Sequence, residues 1–403
     1  MIYDILKDKK DDVAAKARDN IADVCELFGA RDAGGEGEKQ AAEYYANRLA
    51  SVCDEVKTEK FSVSPDANCA WASIVASLAL LARVAYFFSA LVSLLLAVIG
   101  VVVYVIQFVA SKHFFDPLYK AKTSQNVTAL KNPSGEIKKR IFFVAHVDAT
   151  KEWTLLYRLG GGLMDYAVIS SLVGLVYLLA ANIARWAIVG GIGASIASGD
   201  MLIVGLVAIA FVPSWIMLYF IINPKRVIDG ANEDLSGCEV ALALVEGMNS
   251  DGISPHNTQV GVILTGSATV GQRGAEAWCE THKDDFKDVP TTFVCLNTLR
   301  ETEALRVNTK ELNGFVKNDA EVVAVIENAA QSIAKGALTL GATDSAEFSR
   351  HGFKSASITG YSQRCPQYLH TRYDSSDNVN DKCIAKAYEA CVQIIKAMDN
   401  TQN

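Results

Sequence analysis

Two kinds of hydrophobic patterning alternate along this chain. Residues 10–52 are rich in Ala, Lys and Glu, with Ala41, Ala42, Tyr45 and Leu49 spaced for one face, and the spacing predicts helix. EKFSVSP (59–65) and the NVTAL run from Asn126 read as strands, NPSG (132–135) as a turn, and Arg140–Ala145 as a strand. Further on, SGCEVALALVEGM reads as a helix with Ser236 as its candidate start, QVGVILTG (259–266) as a buried strand, and GAEAWCETHK as a helix. TTFVCLN (291–297) is a strand, Ala320–Lys335 a helix, SASITG (355–360) a strand and Asp381–Met398 a closing helix. Strands alternating with helices predict an α/β domain around a largely parallel sheet.

Two blocks break this rhythm. From Ala67 to Ser111 the only charged residue is Arg83. A bilayer crossing takes ~20 apolar residues, so this block fits a hairpin of two crossings with Arg83 near its far turn. The second block, Gly160 to Pro224, is interrupted only by Asp165, Arg185 and Asp200. It reads as crossings at about 164–184 and 201–222, with WAIVGGIGASIASG (186–199) as a linker, re-entrant piece or extra half-helix. Core helices of soluble proteins have a polar face, whereas these segments are apolar all round, so membrane insertion is expected. Residues 1–66, 112–159 and 225–403 then form one soluble domain, and 67–111 and 160–224 form two inserted hairpins. Lys112, Lys120, Lys122, Lys151, Arg158, Lys225 and Arg226 flank the crossings on the domain side, against Arg83 and Arg185 opposite. Positive charge favours the cytoplasmic face, so the soluble domain is expected there.

Composition narrows the picture further. Half the residues are hydrophobic, and the net charge of −7 without a basic stripe gives no reason to expect a nucleic-acid partner. The charged opening MIYDILKDKKDDVAAKARDN is unlike a secretory signal peptide. Nine scattered cysteines without a CxxC pair read as free thiols in a reducing compartment.

The candidate chemistry sits where strands end. AHVDAT (145–150), DGANEDLSG (229–237), TGSATVG (265–271) and CLNT (295–298) end or follow strands, and YLHTRYDSSDNV (368–379) lies in a late loop. Taken singly each is weak: His and Asp at a strand end usually just form hydrogen bonds, Glu233-Asp234 reads equally as a solvated acidic turn, and His370 as a loop anchor. His113, His256, His282 and His351 have no partner spacing and read as surface residues. In order and shape, however, the five stretches resemble the zinc aminopeptidases of metallopeptidase family 28. That family includes bacterial leucyl aminopeptidases, and its aminopeptidase-like (phosphorylase/hydrolase-like) fold is shared by glutaminyl cyclases and by non-catalytic relatives such as the transferrin receptor, nicalin and nicastrin. GARDAGGEGEKQAAEYYANRLASVCDEVKTEKFSV is also similar to the family's opening helix and strand.

The resemblance implies a site that has lost essential parts. Active members hold two zinc ions through a bridging carboxylate, with His and Asp on the first ion, Glu and His on the second, and an adjacent Glu as general base. Two cations lower the pKa of a shared water and clamp the oxyanion while the base takes the proton. Carried over, the first-ion His is His146, oriented by Asp148. The bridging position is Glu233, where the family has Asp, with Asp234 beside it, and the second-ion His is His370. Asp344 falls at the family's late acidic position. The general base, however, falls on Ala268, the second-ion Glu on Thr269 and the first-ion Asp on Asn297. Gly266, Gly271 and Gly274 hold this register, and Glu276 and Glu280 fall in the following helix. The resemblance therefore implies no full two-zinc site, and leaves room for one zinc held by His146, Glu233 and His370. The reading favours a membrane-embedded pseudopeptidase, a scaffold or peptide-binding module with a membrane-protein partner or a peptide ligand. The alternative is a membrane-bound metallo-aminopeptidase using a single unusual metal site. Transport has little support, because the crossings carry few polar groups.

Overall fold

The computed structural model describes residues 2–189, 196–312, 314–338, 341–362 and 366–400. The chain forms two compact units, one from residues 1–65, 121–151 and 226–403 and the other from 66–120 and 152–225.

The first unit is built on an eight-stranded sheet. Its strands are β1 (Glu55–Val63), β2 (Lys122–Lys131), β3 (Lys139–His146), β4 (Thr258–Thr265), β5 (Thr291–Leu299), β6 (Leu305–Asn308), β9 (Ala334–Gly336) and β10 (Ser355–Gly360); β7 (Lys310–Glu311) and β8 (Val316–Lys317) form a separate small hairpin. The order is β1-β2-β4-β3-β5-β10-β6-β9. The central strands β4, β3, β5 and β10 run parallel, while β1, β2 and β6 join antiparallel. Alternation along β3 explains its near-continuous apolar sequence. Ile141, Phe143 and Ala145 enter the core with the helices Lys10–Phe28, Ser236–Ser250 and Asp381–Asn400, whereas Phe142 and Val144 face Trp278, Phe293 and Phe348. A strand covered on both faces needs apolar residues at every position.

The expected helix over 10–52 is two helices, Lys10–Phe28 and Glu36–Ala50, parted where Gly29 takes φ 53°. The helix expected over 320–335 ends at Ala329; Ala334–Gly336 instead pairs with Arg306–Asn308 as β9, so ladder pairing overrides local helix preference. The helix Asp344–Arg350 is capped by Thr343, whose side chain accepts from the Ser345 amide.

The second unit contains four helices long and apolar enough to cross a membrane: Pro65–Tyr86, Ala90–Val109, Thr154–Ile188 and Asp200–Leu218. Large apolar side chains such as Leu95, Ile99, Ile169, Val176 and Ile203 point outward, while Ala76, Ala79, Ala97 and Ala167 lie inside. Small residues let these helices approach closely. A Cβ on Gly174 would stand 2.7 Å from Phe211 and Trp215, and one on Gly205 would stand 2.5 Å from the Tyr86 ring. Arg185 lies within the Thr154–Ile188 helix rather than at a turn between crossings, and is buried, donating to the Tyr86 carbonyl at the end of the first helix and lying over the Tyr86 ring. A cation there satisfies a helix C-terminus. Of the stretch 186–199, residues 190–195 lie outside the described residues.

Candidate functional site

β3 lies at the point where the sheet's connections reverse, with β4 on one side and β5 on the other. Ligands in open α/β sheets bind beyond the carboxyl ends of strands at such a point. His146 is the last residue of β3, and the loops after β4, β5 and β10 converge on the same edge.

His146 is buried and held on three sides. Its amide donates to Asp234 Oδ2 at 3.2 Å, its carbonyl accepts from Cys238 Sγ, and its Nδ1 stands 3.1 Å from the Asp148 carbonyl and 3.2 Å from Asp148 Oδ1. Asp148 is fully enclosed. Oδ1 accepts from the Ala268 amide at 2.9 Å, and Oδ2 accepts from the Thr269 amide at 2.9 Å and the Thr269 hydroxyl at 2.7 Å. The two residues at the family's glutamate positions thus turn their backbone donors onto the carboxylate that orients His146. The turn that does this is tight: Ser267 takes φ 54°, and a Cβ on Gly274 would meet the Gly266 carbonyl at 2.3 Å.

The remaining imidazole nitrogen, His146 Nε2, lies 3.3 Å from Asn297 Nδ2. A neutral ring with its proton on Nδ1 accepts from this amide; a charged ring requires the amide turned to offer its oxygen. Burial alone would lower the His146 pKa, but the bond to Asp148 and the charges of Asp148, Asp234 and Asp344 outweigh it and hold it near 10. Asp148, despite burial, is held below its usual range by the same pairing. A metal at Nε2 would have to displace this proton.

Glu233 and Asp234 are both buried, which corrects the reading of an acidic surface turn. Asp234 is structural: besides the His146 amide it accepts from the Thr298 amide at 3.1 Å, and burial pushes its pKa up to about 8. Asp374 anchors the preceding backbone, accepting from the Asn232 amide and side chain and from the Glu233 amide. Glu233 is thereby aimed at His370, with Oε2 3.5 Å from His370 Nε2 and no hydrogen-bond partner. Burial pushes the Glu233 carboxyl well up, and burial together with the charge of His146 pushes His370 down to about 3. Asp344 accepts from the Thr265 hydroxyl, its other oxygen has no hydrogen-bond partner, and burial raises it to about 6.

Two positioning residues have no counterpart in the sequence reading. Arg31 is fully buried, donating to the Val147 carbonyl at 2.8 Å and the Gly230 carbonyl at 3.1 Å, which ties the His146 and Glu233 loops together. Glu38 accepts from the Ser267 amide and hydroxyl and from Ser124, and burial followed by the nearby Asp148 raises it to about 8. The only local signal for either was an unusual charge density within the glycine-rich GARDAGGEGE. His282 is likewise not a surface residue: its ring is buried between Asp285 at 2.7 Å and Glu59 at 2.8 Å, against Trp278. The seven described cysteine side chains are free thiols; those of Cys69 and Cys365 lie outside the described residues.

The donor set decides what zinc could find here. A two-ion centre does not fit, because Ala268, Thr269 and Asn297 supply none of the three carboxylates it needs. Among the described residues no group of three or more His, Cys, Asp or Glu is arranged to hold a metal ion. The 3.5 Å separation of Glu233 and His370 is close to what one ion needs, since two ligands about 2.0–2.1 Å from one tetrahedral ion stand ~3.3–3.4 Å apart.

Residues 217–395 match the family model described as Peptidase family M28. No curated protein matches the chain in sequence. Among solved structures, the chain resembles a zinc aminopeptidase from Bacillus subtilis at 13% identity, covering 96% of each chain with a TM-score of 0.57. A glutaminyl cyclase from Fimbriiglobus ruber follows at 12% identity, 96% and 95% coverage and a TM-score of 0.56. A Zn-dependent exopeptidase from Parabacteroides distasonis matches at 12% identity, 95% and 97% coverage and a TM-score of 0.54. At such identities the structural likeness establishes the fold alone, and the sequence likeness to peptidase family M28 spans residues 217–395 of the 403-residue chain.

Proposed function

We propose that this protein is a four-crossing integral membrane protein whose cytoplasmic M28 domain is a pseudopeptidase, serving as a scaffold or as a binding module for a peptide or a membrane protein. The observation that carries the reading is the occupation of the general-base and second-ion positions by Ala268 and Thr269, whose backbone donors are spent on Asp148. Loss of a general base typically costs ~10²–10⁴-fold in rate, and the methyl group of Ala268 supplies nothing that replaces it. The lengths and hydropathy of the four helices support insertion, and the flanking Lys112, Lys120, Arg158 and Lys225 support a cytoplasmic domain.

One observation favours a second reading, a metallo-aminopeptidase with a single zinc: the buried, unpartnered Glu233 Oε2 beside His370 Nε2. Zinc there would polarise a substrate carbonyl or a water, with Glu233 and His370 as the residues that would hold it and His146 as the third candidate. Metal analysis of the detergent-purified full chain, alongside His146→Ala, His370→Ala, separates the two. The pseudopeptidase reading expects no bound transition metal and no hydrolysis of leucyl anilides. About one zinc per chain, lost in the double variant and accompanied by hydrolysis, would overturn it in favour of the enzyme.

A further inference from the structure

The four-helix unit carries a second surface that the peptidase-like site does not use. Its two ends can be told apart by contacts within the unit. The Ala197 amide donates to the Phe87 carbonyl at 3.1 Å and the Tyr86 hydroxyl to the Met201 carbonyl at 3.1 Å, so the turns near 87–89 and 196–201 share one end. Helices of about 20 residues run ~30 Å, so residues 110–120, the start of the Thr154 helix and residues 219–225 share the other.

That second end has a distinctive make-up. Segment 110–120 contains only a single turn of helix at Asp116–Leu118, yet it exposes Phe114 at 69% and Leu118 at 76%. These two apolar groups lie between exposed Lys112 and Lys120. Arg158 and Leu159 are exposed just before the helix axis breaks at Gly160, and Phe220 and Lys225 are exposed where the last helix ends. None of Lys112, Lys120, Arg158 and Lys225 forms an ion pair among the described residues. Protruding apolar side chains interleaved with free cations match a layer that is apolar below and anionic above.

We propose that this end is a docking surface for anionic phospholipid headgroups, with Phe114 and Leu118 inserted among the acyl chains and Lys112, Lys120, Arg158 and Lys225 on the phosphates. The inference rests on the membrane reading above and adds headgroup selectivity to it. Each basic residue at an anionic surface contributes about fivefold in attraction, and one lipid at the protein boundary touches about one such residue. A preference of roughly three- to fivefold for phosphatidylglycerol over phosphatidylcholine is therefore expected.

The test reconstitutes the full chain in phosphatidylcholine liposomes and measures boundary association of spin-labelled phosphatidylglycerol and spin-labelled phosphatidylcholine by electron paramagnetic resonance. The wild type should show the preference, 0.5 M salt should shrink it by screening, and Lys112→Gln, Lys120→Gln, Arg158→Gln, Lys225→Gln combined should bring it close to one. Equal association of both lipids with the wild type, or an undiminished preference in the fourfold variant, overturns the inference while leaving insertion intact. Protein that washes off the liposomes at alkaline pH instead overturns the membrane reading beneath it.

Discussion

Replacing His146 by glutamine removes the one cation at the centre of the site while keeping groups that can donate to Asp148 and meet Asn297. The wild-type ring holds its proton to a pKa of about 10, against about 6.5 in an unfolded chain. Because the folded value is raised, the stabilisation is fully present below pH 6.5 and is lost as pH rises through 10. Between pH 8 and 9.5 the folded chain keeps a proton that the unfolded chain has released, so stability falls by ~1.4 kcal/mol per pH unit, or roughly 2 kcal/mol over the window. The carboxyls of Asp234 and Glu38, raised to about 8, titrate across the lower edge of this window in both proteins. For a unit of about 270 residues, 2 kcal/mol corresponds to ~3 °C in Tm. Thermal unfolding in detergent with a metal chelator, followed by tryptophan fluorescence at pH 8.0 and 9.5, reads this directly. The wild type should lose about 3 °C more than His146→Gln across the window. An equal loss in both proteins refutes the protonated ring.

Further outcomes follow from the same geometry. Asp148→Ala strands two buried amides that donate to the carboxylate and should cost ~3–5 kcal/mol, whereas Thr269→Val, which removes only the hydroxyl bond, should cost about 1 kcal/mol; chemical unfolding of the two variants checks the ratio. Gly274→Ala drives a Cβ to 2.3 Å from the Gly266 carbonyl, so a loss of at least 2 kcal/mol is expected, and a Tm unchanged from wild type would contradict the tight packing of this turn. In the helical unit, Gly174→Val forces a side chain against Phe211 and Trp215, and a lowered midpoint in detergent denaturation should report the separated helices.

Much of this protein is legible locally. The four apolar helices announce themselves because solvation is a property of each segment, and their boundaries fall within a few residues of the hydropathy breaks at Arg83, Gly160 and Asp200. The strands β3, β4 and β5 are equally plain, since burial on both faces demands continuous apolar sequence. The resemblance to family 28 also implies, from the sequence alone, that Ala268, Thr269 and Asn297 stand where that family has carboxylates.

What those replacements do is decided only in three dimensions. Asp148 meets Ala268 and Thr269 across 120 positions of chain, and Arg31 reaches Gly230 across 199. Neither pairing leaves a periodic trace. His282 looks like any surface histidine until Glu59 and Asp285 close around it, and Ala334–Gly336 looks helical until β6 offers a ladder. Hydrophobic pattern is additive along a segment, so sequence determines where helices, strands and apolar spans fall. The partners of buried polar groups depend on which distant backbone arrives beside them, so only the tertiary structure decides that the loops around His146 are closed by hydrogen bonds.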